Sequence, residues 1–73
     1  MTIVDARGKS CPMPIVLMAK AIRGVEVGAG LSILADDRAF PSDVEAWCKK
    51  TGNALVSLER KSGHYEATIR RER

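Results

Sequence analysis

Cys11 is followed by Pro12, Met13 and Pro14, and then by the run Ile15-Val16-Leu17-Met18-Ala19-Lys20-Ala21-Ile22. Apolar residues recur at Ile15, Met18, Ala19 and Ile22, which is helical spacing. Proline is accepted in the first turn of a helix, where the N–H groups have no intrahelical partner. Two prolines therefore mark where this helix begins and place Cys11 at or next to its N-cap. The start of a helix carries roughly half a positive charge. A thiolate there is favoured over a thiol, so the expected pKa lies below the free value of about 8.5. Pro12 and Pro14 offer no N–H, which leaves Met13 as the main amide able to face the sulfur. Arg7 and Lys9, just upstream, add positive potential. The chemistry this predicts is a nucleophilic, sulfur-handling cysteine. The competing reading is a small buried residue at a proline-rich helix start.

The other residues able to do chemistry are few. Cys48 falls with Phe40, Val44, Trp47 and Thr51 on one face of a second helical pattern, which makes it a core cysteine. Two cysteines without CxxC spacing and a single histidine, His64, do not supply a four-ligand zinc site, and no metal is expected. A Cys11–Cys48 switch is open as a reading and requires Cα atoms within roughly 6 Å. Asp36 and Asp37 precede the second helix and are expected to cap it. His64 is expected to face solvent.

These residues must be positioned by a short chain. At 73 residues it forms one expected domain, 1–73, with a small core. An active group therefore has to lie near the surface. The longest apolar run falls far short of the roughly 18 residues of a membrane span. The start, Met1-Thr2-Ile3-Val4-Asp5, has no basic region followed by a hydrophobic one. No membrane contact is expected, and the cytoplasm is the expected location. The net charge is +3, with Lys49, Lys50, Arg60, Lys61, Arg70, Arg71 and Arg73 concentrated late. Such a surface attracts an acidic protein or a nucleic acid. With only Phe40, Trp47 and Tyr65 as aromatics, a base-stacking platform is poorly supported, and direct nucleic-acid binding is not expected.

A strand is predicted near Ile3 to Ala6, with Val4 and Ala6 on one face, followed by the turn Arg7-Gly8-Lys9-Ser10. The first helix is predicted from Pro12 to Arg23, with Gly24 as its stop. Leu31 to Ala35 reads as a central strand. The second helix is predicted from Phe40 to Thr51, ended by Gly52 and Asn53. Ala54, Val56 and Leu58 alternate, as do Tyr65, Ala67 and Ile69, around the turn Lys61-Ser62-Gly63. The order βαβαββ predicts an α/β two-layer sandwich, with two helices packed on one face of a four-stranded mixed sheet.

The stretch from Asp5 to Pro14, Gly28 with Leu31 to Asp37, and Asp43 to Cys48 together resemble the TusA-like (SirA-like) small sulfur carriers. The CPxP motif is preceded by D-x-x-G and followed, after the second strand, by A-D-D. The resemblance implies that Cys11 carries sulfur as a persulfide, with no small-molecule cofactor. It implies a cysteine desulfurase or rhodanese-type donor and a downstream sulfur-relay acceptor, in tRNA thiolation, molybdenum cofactor assembly or sulfur oxidation. It assigns motif-structural positions to Asp5, Gly8, Pro12, Pro14, Asp36 and Asp37. The family often has proline after A-D-D; here Arg38 stands there, facing an acidic partner or the negative persulfide. Such a covalent carrier is a sulfurtransferase that works as a monomer with transient partners. The alternative is a non-catalytic protein- or RNA-binding regulatory module using the basic C-terminal hairpin, or a relative in selenium metabolism.

Overall fold

The computed structural model describes residues 2–73. Its elements follow the predicted order: β1 (Thr2–Asp5), α1 (Met13–Ala21), a 3₁₀ turn (Ile22–Gly24), β2 (Gly30–Ala35), α2 (Phe40–Thr51), β3 (Ala54–Lys61) and β4 (His64–Arg70). The sheet order is β1-β2-β4-β3. β1 runs parallel to β2, so α1 forms the crossover between them, while β4 is antiparallel to both of its neighbours. Both helices pack on one face of this mixed sheet, which is the expected two-layer α/β sandwich.

Period-two alternation explains which face is buried. Leu31, Ile33 and Ala35 of β2 point under the helices and are fully buried, as are Ala67 and Ile69 of β4. Met18 and Ile22 from the first helical segment and Phe40, Val44 and Cys48 from α2 close the core above them. Val4 and Ala6 share the inward face of the first strand, although pairing in β1 ends at Asp5. Ala6 still donates its N–H to the Leu34 carbonyl at 2.8 Å.

Three boundaries and faces differ from expectation. α1 ends at Ala21 and tightens into a 3₁₀ turn, whose i→i+3 bonds satisfy the last carbonyls, such as Val25 N–H to Ile22 O at 3.1 Å. Gly24 is therefore not a left-handed stop; the backbone instead becomes extended at Val25. In β3 a bulge between Leu55 and Ser57 breaks the alternation. It turns Val56 out to solvent and leaves Leu55 and Leu58 against the core, so Ala54, Val56 and Leu58 do not form one inward row. Neither Asp36 nor Asp37 is the N-cap of α2: that position is Ala39, and it has no side-chain cap.

The far end of α2 is closed as expected. Gly52 adopts φ +79°, and its N–H reaches the Cys48 carbonyl at 2.9 Å. A Cβ at Gly52 would stand 3.1 Å from Cδ of Arg73. The tail is tied down nearby: Glu72 N–H donates to Asn53 Oδ1 at 2.8 Å, and Arg71 donates through Nη1 to the Val25 carbonyl at 2.7 Å. Gly52→Ala is expected to cost about 1–2 kcal/mol, the penalty of a left-handed L-residue. Urea unfolding should show this as a lower midpoint at an unchanged slope.

Candidate functional site

Cys11 is exposed, one residue before Pro12, which is the N-cap of α1. The Cys11–Pro12 peptide bond is cis. The preceding loop is held at both ends. Arg7 grips Asp5 through Nε to Oδ1 at 2.9 Å and Nη2 to Oδ2 at 2.8 Å. This pair holds the Asp5 carboxyl at about 2, well below the usual carboxylate range. Gly8, at φ +81°, donates its N–H to both oxygens of Asp36, at 3.0 Å each. A left-handed turn is needed there to aim that N–H across to the loop after β2, which accounts for the glycine.

The Met13 N–H does not face the sulfur. It donates to the Ser10 carbonyl at 2.8 Å and closes the turn that carries Cys11. With Pro12 and Pro14 lacking donors, the first turn of α1 offers Cys11 little of the positive end of the helix. Arg7 is committed to Asp5, and Lys9 has no ion pair among the described residues. The groups that act on Cys11 are acids from the start of α2. The Asp43 carboxylate beside the thiol favours its protonated form, partial loss of water adds to this, and the negative charges of Asp43 and Asp37 oppose a thiolate. The Cys11 pKa is therefore raised, opposite to the sequence expectation. Cys11 rests as a thiol with carboxylates for neighbours.

Asp36 and Asp37 divide their work. Asp36 ties the β2–α2 loop to Gly8, while Asp37 Oδ2 accepts the Ala39 N–H at 3.1 Å and its carbonyl accepts the Phe40 N–H at 3.1 Å. Among the described residues, no group of three His, Cys, Asp or Glu side chains is arranged to hold a metal ion. Cys48 is buried, and burial pushes its thiol up. The two cysteines are free and occupy opposite environments, one in the core and one outside it. His64 is partly buried and lines an open surface depression together with the exposed Arg38.

Residues 2–71 match the family described as Sulfurtransferase TusA. The chain belongs to the TusA family. A relative in Archaeoglobus fulgidus, named "Putative sulfur carrier protein", is 34% identical over 71 residues, covering 97% of each chain. A protein of the same description in Neisseria meningitidis is 33% identical over 66 residues, covering 90% of this chain and 89% of its own. Another, in Aquifex aeolicus, is longer, and the match spans 34% of its length. The crystal structure of a SirA-like protein from Desulfitobacterium hafniense superposes with a TM-score of 0.84 at 27% identity, over the whole of both chains. No helix among the described residues is long and apolar enough to cross a membrane.

In this TusA-type site, Asp43 is the residue that the sequence alone does not single out. Its signal is topological. Two parallel strands, each followed by a helix, start both helices at the same sheet edge, and the only acid in the first turn of α2 is Asp43. Asp43→Asn should lower the Cys11 pKa, because it removes a charge that repels the thiolate and supplies an amide N–H that can donate to it. The pH profile of iodoacetamide alkylation should shift to lower pH, with faster reaction near neutrality. An unshifted profile would break the assignment.

Proposed function

We propose that this chain is a sulfur carrier that holds sulfane sulfur as a persulfide on Cys11. The observation that carries the reading is an exposed cysteine at the head of α1, within a TusA-family chain. Transfer is an exchange at sulfur. Cys11 gives up its proton, and the thiolate attacks the terminal sulfur of a donor persulfide. The donor S–S bond breaks, a new S–S bond forms on Cys11, and the donor cysteine leaves as a thiolate that collects the proton. One S–S bond replaces another, so no net oxidant and no small-molecule cofactor is required.

A cysteine desulfurase or a rhodanese-type protein fits the donor role, and a downstream relay protein the acceptor role. The destinations compatible with this chemistry are tRNA thiolation, molybdenum cofactor assembly and oxidation of reduced sulfur. Met13 and Val16, 42% and 41% exposed near the start of α1, offer apolar surface to such partners. A carrier that meets partners in turn works as a monomer, in a compartment such as the cytoplasm where thiols stay reduced. The basic hairpin gives less support to an RNA-binding role. Lys61 faces Glu66 at 3.6 Å, Arg70 pairs with Glu72 at 3.0 Å, and Arg71 bonds to backbone carbonyls.

The test is intact-protein mass spectrometry after incubation with a cysteine desulfurase, pyridoxal phosphate and cysteine, then repeated with thiosulfate and a rhodanese. The wild-type chain and Cys48→Ser should each gain one reductant-sensitive sulfur on the Cys11 peptide. Cys11→Ser should gain none. Loading of Cys11→Ser at another residue, or no loading of the wild type by either donor, overturns the reading.

A further inference from the structure

The sheet edge that carries Cys11 also bears an open depression of about 370 Å³, lined by Asp36, Arg38, Arg60, Gly63, His64 and Tyr65. It has no part in the sulfur chemistry described above. Strand register gathers its walls. Tyr65 pairs with Ala35 on one side and Arg60 on the other, and His64 pairs with Lys61. Arg38 approaches from the loop after β2. The Tyr65 ring lies 6.5 Å from that of Phe40, which anchors one wall to the core. Gly63, at φ +76°, makes the β3–β4 turn at the rim.

The charges point one way. Among the described residues, neither Arg38 nor Arg60 has an ion-pair partner, although four other basic side chains do. The lining has a single acid, Asp36, whose two oxygens share the Gly8 N–H, against two guanidinium groups. His64 Nδ1 lies 3.2 Å from the Ser62 carbonyl, which can only accept, so Nδ1 carries a proton and Nε2 is left to the depression or to solvent. Two free guanidinium forks match the paired oxygens of a carboxylate or a phosphate, and the volume lies within the range of small-molecule sites.

We propose that this depression binds a small oxyanion of the phosphate or carboxylate class, held between Arg38 and Arg60 with His64 and Tyr65 at its sides. The site is independent of the sulfur-carrier reading and stands whether or not Cys11 carries sulfur. Inorganic phosphate and succinate should be titrated separately into the ¹⁵N-labelled chain, with chloride holding ionic strength constant. At least one of them should produce saturable shift changes confined to the amides of Arg38, Arg60, Gly63, His64 and Tyr65. Saturation by phosphate alone assigns a tetrahedral ligand, and saturation by succinate assigns a carboxylate. In the variant Arg38→Gln/Arg60→Gln, both changes being at exposed side chains, binding should weaken at least tenfold while the rest of the spectrum is unchanged. Shifts that grow without saturating, that spread to Lys49, Lys50 and Arg73, or that persist in the double variant overturn the proposal.

Discussion

Parallel pairing of β1 with β2 puts the C-terminal ends of both strands at one edge of the sheet. Each strand is followed by a loop and a helix on the same face, so the starts of α1 and α2 are forced together. Everything at the site follows from this. The loop 6–12 brings Cys11, the loop 36–39 brings Asp36 and Asp37, and the first turn of α2 brings Asp43. The hydrogen bonds from Gly8 to Asp36 join the two loops directly. An antiparallel hairpin in place of this crossover would send the second helix start to the opposite edge.

The same convergence decides the electrostatics. A helix start attracts anions mainly through N–H groups that point at them. In α1 two of those groups are replaced by proline, and the Met13 N–H is used by Ser10. What remains near the sulfur is the carboxylate of a neighbouring helix. The prolines that present Cys11 so rigidly thus also remove the donors that would have made it a thiolate.

Element order, sheet type and the position of Cys11 were legible in the sequence because each rests on local signals: prolines after Cys11, helical spacing, alternating strands and Gly52. The protonation state of Cys11 was not. It depends on which partner the Met13 amide chooses and on Asp43, thirty-two positions away in sequence, so only tertiary structure reveals it. The β3 face was misread for a related reason, since a bulge near Val56 leaves no mark in residue type. The roles of Asp36 and Asp37 were legible only as a choice among caps. The acceptor of Gly8 and the one serving Ala39 had to be seen in three dimensions.

The acids beside Cys11 bear differently on an empty carrier and a loaded one. A neutral thiol is the form that Asp43 and Asp37 favour. A persulfide places its terminal sulfur about 2 Å further out, and once that sulfur is charged it finds Asp43 and Asp37 as neighbours of the same sign. On the carrier reading, the site is a resting place for the unloaded protein and an unwelcoming one for its cargo. The affinity of such a protein for sulfur would then be set low enough for release, without any moving part.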